Sequence, residues 1–548
     1  MRWLLILVLS LGLAAAVPGG GARAAPGARF DGALADVRAM VEEAPDEWGI
    51  AVAVTDRERL RMVAVHGYAD IERRHPVTAD TRFAIGSLSK SFTAITLLQL
   101  ADEGRFDPAS PIARYLPDFH PRSAFPAITG HALLTHTSGL PNYLHHVASM
   151  RFLIAALNDF EPRYAPDAHF WYSNAGFQLL GYAAERIERL PFPLILQRRV
   201  LDRLGMTATA PQIDDRLRGR MAKSYVRSPD GRHHEAPWFD YLSADGAVVS
   251  TAADMGTYAR MLLARGDTPF GRLISARGFD RLATPVLDDY GYGIDALEQG
   301  QVLAHSGSIA GFQAYLRADL GNGFAVAFLS NGPLDRALRD RIISRLIEGA
   351  GGGPREAGAQ IAAPKPPSEP VSFTGQFVGR QGEALVFATD SAGGLTLREG
   401  GEALSLTRLA NDMWGAYLTP QGSRTFFFFR DTSGAVTDVS EGASSYAKQG
   451  ASPAPAEAPT AWRPLVGRYM AHGEEGPGVR IFARNGRMMM AYADSNAPPT
   501  PLQEEGRGRF RFAEPSYAPE WLGFDAIING QAQRLTLTGV PLYRIDLP

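Results

Sequence analysis

The spacing of hydrophobic and polar positions changes character along the chain, and the changes divide it. From about residue 30 to 348 the pattern is mixed. "WGIAVAVTD" and "LRMVAVHGY" read as two short strands in hairpin sequence, whereas "ITLLQLADEG" reads as a helix stopped at Gly104. "VVSTAADMGTYARMLLARG" predicts a second helix, capped at Ser250 or Thr251, with Asp254 in its first turn and Gly266 at its end. "FQAYLRADLGNGFAVAFLS" predicts two strands around the turn Gly321-Asn322-Gly323, and "LDRALRDRIISRLIE" a closing helix. Strands at both ends of this region with helices between them predict an α+β domain whose sheet joins N- and C-terminal strands.

Residues 349–370 are rich in Gly, Ala and Pro and read as a linker. Beyond them the helical period disappears. Short β-prone runs, "LTL", "TFFFFR", "VRIFA" and "RLTLTG", alternate with Gly and Asn turns. A second Ala/Pro-rich stretch at 450–460 separates two parts, 371–449 and 461–548, that resemble each other. Phe373-Thr-Gly375-Gln-Phe377 matches Leu465-Val-Gly467-Arg-Tyr469, "GGLTL" at 393 matches "NGRMMM" at 485, and "SGAVTDVS" at 433 matches "NGQAQRLTL" at 529. Two small all-β barrel domains would bury such strands and leave few free edges; one continuous β-sandwich is the alternative.

Composition narrows the function classes. With 21% charged residues and a net charge of −3, the chain has no electrostatic footprint for nucleic acid or an anionic membrane. Residues 1–24 carry Arg2, an apolar run and Ala22-Arg23-Ala24, the pattern of a signal peptide. That apolar run is shorter than the roughly 20 residues of a spanning helix, so a periplasmic or secreted protein is expected, with no membrane span after cleavage. The absence of cysteine excludes disulfides, thiol nucleophiles and cysteine-bound metals. The adjacent pairs His145-His146 and His233-His234 do not share a face on a regular element, so no metal and no cofactor is expected. Of 55 Lys+Arg residues only Lys90, Lys223, Lys365 and Lys448 are lysine, which singles out each of the four.

Ser87 and Lys90 stand in "FAIGSLSKSFTAITLLQLADEG", where Leu88, Phe92, Ile95 and Leu98 keep a helical period. The pair therefore shares one face at a helix start, near the positive end of its dipole. A partly buried lysine can give up its proton and act as a base, which arginine cannot. The tetrapeptide alone is weak evidence, since Ser445-Tyr-Ala-Lys448 has the same form in a β-rich segment, and the pair also reads as a cap and a solvated charge. Downstream come Tyr172-Ser173-Asn174 and His305-Ser306-Gly307. Among 18 tyrosines only Tyr172 has Asn two residues on, and among 12 histidines only His305 has Gly two residues on.

The ordered set resembles the serine β-lactamase, penicillin-binding protein and DD-peptidase family, over about residues 30 to 350. "LLTHTSGLPNY", "DGAVVSTAADM" and "HSGSIAGFQAYL" look similar to stretches of that family. The resemblance implies a five-stranded antiparallel sheet flanked by helices, a mostly helical insertion, and a site between them. It implies Ser87 as acylated nucleophile, Lys90 as the amine that deprotonates it, Tyr172 as proton relay, and Asn174 as partner of the substrate amide or of Lys90. Cationic Lys90, joined by His305 when that ring is charged, would favour a Tyr172 phenolate; near pH 7 a histidine is mostly neutral and binds a substrate carboxylate less firmly than lysine. His305 takes the place of a lysine in many β-lactamases, Gly307 would admit a substrate along the strand, and the amides of Ser87 and Ser308 would form an oxyanion hole. "YGYGI" at 290 reads as a strand or turn lining the site.

The chain plan is similar to D-aminopeptidases, in which a C-terminal barrel loop narrows the cleft. The expected activity is hydrolysis of D-amino-acid-containing peptides through an acyl-enzyme, as a D-aminopeptidase or DD-carboxypeptidase. The alternatives are an esterase acting on small acyl esters and a non-catalytic binding protein. The expected partner is a small-molecule or short-peptide substrate.

Overall fold

The structure is a computed structural model that describes residues 26–45, 47–142, 149–227, 233–352, 369–399, 402–419, 422–450, 456–471, 478–492, 497–506 and 508–545. The expected signal at 1–24, His145-His146, most of the linker at 349–370 and part of that at 450–460 lie outside the described residues.

The N-terminal region is built on an antiparallel sheet. In spatial order its strands are Asp295–Ala296, Val302–Ile309, Phe312–Asp319, Phe324–Ser330, Ile50–Asp56 and Leu60–His66. Terminal segments meet as the pattern predicts: Ile50 pairs with Ser330 and Asp56 with Phe324. The sheet has six strands where five were expected. The extra one, Asp295–Ala296, is two residues long and too short to show a period.

Ile50–Asp56 illustrates why the sheet sits in the middle. Ile50, Val52 and Val54 face one core, with Phe324, Val326 and Phe328, against the helices Pro26–Glu42 and Arg336–Gly349. Ala51 and Ala53 face the other core, where small side chains let the helix Ala252–Leu263 lie close. Alternation of large and small residues along one strand thus sets which helices pack on which face. Thr251 caps Ala252–Leu263 by accepting from Asp254 N, and Asp335 caps Arg336–Gly349 by accepting from Ala337 N and Leu338 N.

The helix Ser89–Asp102 is buried all round from Ser89 to Leu100, Lys90 included. Its apolar residues are therefore central packing, not one face of a surface helix. Beside it the insertion is mostly helical, with Gly130–Leu134, Met150–Asn158, Asn174–Glu188 and Phe192–Leu196.

Two β units follow. In each, a 3₁₀ turn, Pro370–Phe373 or Thr460–Trp462, precedes a first strand, Gly375–Val378 or Gly467–Met470. Gly375 and Gly467 both have positive φ, 131° and 153°. The first strand pairs with the last in both, Phe377 with Lys448 and Arg468 with Ile545. The second unit is a closed barrel of eight strands. The first is a nine-stranded sheet whose end strands, Glu402–Ser405 and Thr407–Ala410, are consecutive in the chain and flank Leu406, so the sheet wraps one core without a ladder at that seam. The units pack through Phe427 stacked on Phe482, with ring centroids 3.8 Å apart.

Candidate active site

Ser87 is delivered by a short strand. Phe83–Ala84 pairs with Val249–Ser250, Ile85 N donates to Val248 O at 2.9 Å, and a 3₁₀ turn, Gly86–Leu88, leads into the helix. Gly86 has φ +51°, and a Cβ there would lie 2.7 Å from Ser308 N. Only glycine suits that turn, and the contact brings the Ser308 amide beside the peptide preceding Ser87.

Lys90 is completely buried, and its Nζ has three acceptors: Ser87 Oγ at 3.0 Å, Asn174 Oδ1 at 2.6 Å and the Asp245 carbonyl at 2.9 Å. An ammonium donates to all three. The neutral amine would keep two donors on Asn174 and Asp245 and turn its lone pair to the Ser87 hydroxyl, the arrangement a proton acceptor needs. The Tyr172 and Phe177 rings lie 4.8 and 5.7 Å from Nζ. Asn174 opens the helix Asn174–Glu188, whose cap is Ser173. Of its two expected partners, the structure gives Asn174 the lysine.

The Tyr172 hydroxyl has no hydrogen-bond partner among the described residues. Its ring rests on His136, centroids 4.2 Å apart, and lies 6.4 Å from the ring of His305. His305 is neutral, as expected of a histidine near pH 7, and further from charging than an ordinary one. Burial, and then the Lys90 charge, push its pKa down to about 4. Its Nδ1 lies 2.5 Å from the Ser306 carbonyl, so that nitrogen carries the hydrogen, and Nε2 accepts from Tyr290 O–H at 3.1 Å.

Comparison with protein families matches residues 37–348, more than half of the chain, to the Beta-lactamase family.

The chain belongs to the Beta-lactamase family.

Similar proteins include penicillin-binding protein 4* of Bacillus subtilis, 23% identical and covering 57% of this chain and 74% of that protein. Penicillin-binding protein 4 of Amycolatopsis lactamdurans is 29% identical over 53% of this chain and 83% of its own length. Among solved structures, an octameric penicillin-binding protein homologue from Pyrococcus abyssi superposes with a TM-score of 0.53 at 21% identity, over 77% of this chain and 99% of that one. The fold is thus that of a β-lactamase-family serine hydrolase followed by C-terminal β-barrel units.

Gly307 of this β-lactamase-family site was expected to make room for substrate. The structure gives it a partner within the protein: a Cβ at 307 would lie 1.9 Å from the Ile85 carbonyl oxygen. Gly307→Ala is expected to force the strand off Ile85, at or above the upper end of the roughly 1 to 3 kcal/mol typical of overpacking. Chemical denaturation measures this, and a variant as stable as the parent would show that the strand yields freely.

Three residues that motif spacing did not single out complete the site. Asp245 holds Lys90 through its carbonyl, while its carboxylate accepts from Tyr241 Oη at 3.1 and 3.0 Å and from Ser243 Oγ at 2.5 Å. Tyr290, in the "YGYGI" stretch, orients His305. His136 has φ +57°, and its Nδ1 accepts from Ser173 N at 3.0 Å while its carbonyl accepts from Trp171 N at 2.7 Å, bracketing Tyr172. Burial first, then the Lys90 charge, hold the His136 pKa well below the usual histidine value. The stretches "LLTHTSGL" and "SADGAVVS" were the available signal, but no period or spacing in them marks a contact with Lys90.

The decoy Ser445 is structural. It sits on the strand Ser444–Lys448, its Oγ accepting from Asn485 N at 2.9 Å across the two β units. His233 packs edge-on against Trp48. A cavity of about 610 Å³ lined by Arg73, Arg218, Trp238 and Phe312 includes none of Ser87, Lys90, Tyr172 or His305.

The second barrel reaches the site. Its segment 513–520, between strands Arg509–Phe512 and Trp521–Ile528, places Tyr517 flat on His169, with centroids 4.2 Å apart, and buries Glu520 completely. Burial raises the Glu520 pKa from the ordinary 4.5 to about 7. The unfolded chain releases this proton near 4.5 and the folded chain only near 7, so stability falls as pH rises through that interval. Glu520→Gln is therefore expected to gain stability over the parent between pH 4.5 and 7, approaching about 3 kcal/mol at the upper end. Denaturation of both at pH 5 and 8 checks it, and a constant difference would refute it.

Proposed function

We propose that this serine hydrolase cleaves amide bonds of D-amino-acid-containing peptides through an acyl-enzyme on Ser87. The observation that carries the reading is the buried Lys90 amine, 3.0 Å from Ser87 Oγ and fixed by Asn174 and Asp245. Ser87 Oγ attacks the substrate carbonyl carbon as its proton passes to Lys90 or Tyr172. The amides of Ser87 and Ser308 receive the oxyanion, a contribution worth about 3 to 4 kcal/mol for each donor that can be removed. The carbon–nitrogen bond then breaks and the leaving amine takes the proton. Water, losing a proton to the same base, attacks the ester and frees Ser87.

Neutral His305 bears on the substrate. A C-terminal carboxylate, as in a D-alanyl-D-alanine peptide or a penicillin, finds no positive charge in this motif. That favours a D-aminopeptidase, acting on D-amino-acid amides, over a DD-carboxypeptidase. It also favours the second reading, an esterase acting on small acyl esters with the same residues. The penicillin-binding names of the two relatives support acylation by β-lactams. The pattern at residues 1–24 supports export, and a mature N-terminus near residue 25 would test it.

The deciding experiment compares kcat/KM for D-alanyl-p-nitroanilide, an acetylated D-alanyl-D-alanine peptide, p-nitrophenyl acetate and nitrocefin. Turnover of the D-alanyl amide above the other amides supports the first reading. Turnover of the ester alone supports the second, and efficient nitrocefin hydrolysis would overturn the argument from His305.

A further inference from the structure

We propose that Glu520 is a positioning residue of the reaction, holding Tyr172 and Asn174 in place from the second barrel. The inference rests on the reading of Tyr172 and Lys90 as the groups that move the Ser87 proton.

The connections are short. Glu520 Oε1 accepts from Trp171 Nε1 at 3.0 Å and from Asn142 N at 3.0 Å. Trp171 precedes Tyr172 in the chain. Asn142 Oδ1 in turn accepts from Asn174 N at 3.1 Å, and Asn174 Oδ1 accepts from Lys90 Nζ at 2.6 Å. One oxygen from the barrel therefore fixes the neighbours of both Tyr172 and Asn174. The two segments it joins, at Asn142 and Trp171, are loop ends held together by the fully buried Glu520.

Simple docking of the barrel does not require this carboxyl. Tyr517 already stacks on His169 and stands edge-on to Tyr164 and Trp171, with centroids 5.9 and 6.1 Å apart. Arg163 and Glu505 add an ion pair at 3.7 Å. Glu520 is distinct in touching the backbone and side chain that adjoin the proton path, in a dry setting where an unpaired donor is costly. An oxygen with two lone pairs is the requirement, and a glutamine amide oxygen meets it as a carboxyl does.

The test uses the full chain with Glu520→Ala, Glu520→Gln, Tyr172→Phe and the double variant Glu520→Ala/Tyr172→Phe. The rate of reaction of Ser87 with a fluorophosphonate, and kcat and KM for p-nitrophenyl acetate, are measured for each. Glu520→Ala is expected to lower the labelling rate and kcat about 10- to 100-fold, the scale of a small misplacement of reacting groups, with KM little changed. Glu520→Gln should retain most of the parental rate, and the double variant should lose less than the product of the two single losses, since in Tyr172→Phe only the Asn174 arm of Glu520 remains to be felt. A parental rate in Glu520→Ala, equal losses in the alanine and glutamine variants, or multiplying losses in the double variant would each overturn the proposal. Should Glu520→Ala not fold, Trp171→Phe removes the indole donor while keeping an aromatic ring, and is expected to show a smaller fall in kcat at constant KM; an unchanged kcat there overturns it. A slow Tyr172→Phe beside a fast Glu520→Ala refutes the positioning role alone. A fast Tyr172→Phe overturns both the positioning of Tyr172 and its share in the reading beneath, leaving Lys90 as the carrier of the proton.

Discussion

Ser87→Ala is expected to abolish labelling by a fluorophosphonate and to lower turnover by about 10⁶-fold, the scale of losing a nucleophile from a hydrolase. Lys90→Arg is the sharper companion. The guanidinium keeps the positive charge and can still donate, but it cannot be deprotonated, and it is larger than the fully enclosed space of Lys90 between Ser87, Asn174, Asp245 and two aromatic rings. A fall of about 10² to 10⁴ in the acylation rate is expected, the usual range for losing a general base. Intact-mass spectrometry after fluorophosphonate treatment reads both variants, with peptide mapping to place the adduct. Label on Ser445, or persistent label in Ser87→Ala, would refute the site. Parental acylation by Lys90→Arg would show that the proton leaves by another route.

The second large effect is expected at Tyr172. Phenylalanine there keeps the ring that lies 4.8 Å from Lys90 Nζ and rests on His136, so the fold and the surroundings of the lysine stay as they are. Only the hydroxyl is lost. Because no described residue engages that hydroxyl, its removal leaves no buried group unpaired, and thermal stability should stay near that of the parent. A fall in kcat of about 10² to 10⁴ at similar KM is therefore assignable to proton transfer. Steady-state kinetics with an ester and a D-alanyl amide, beside a melting curve, measure this. Unchanged kcat would leave Lys90 as the sole carrier of the proton.

Much of the fold could be read from local pattern because it is made of strongly periodic segments. The hairpin from Ile50 to His66, the capped helix after Thr251 and the turn at Gly321-Asn322-Gly323 follow from alternation, capping residues and glycine. The β repeats could be read for the same reason, with Gly375 and Gly467 at matching positions; that both take positive φ came from the structure. The two-residue strand Asp295–Ala296 and the seam at Leu406 could not, since neither has a length over which a period can show.

The sequence by itself determined the chemistry on offer: a serine and a lysine one turn apart, a Tyr-x-Asn and a His-x-Gly in order, and no cysteine. These are covalent facts, or consequences of helix geometry within one segment. Tertiary structure decided what each residue is for. Lys90 is a base candidate because a distant carbonyl, Asp245, and a distant amide, Asn174, take two of its three donors. His305 is neutral because the fold buries it beside Lys90, and Gly307 is glycine because the Ile85 carbonyl passes beneath it. Glu520 lies 349 residues from Trp171 along the chain, and only the packing of the second barrel brings its carboxyl to the indole. Burial and long-range contact fix charge state and position, and neither is a property of a short stretch of sequence.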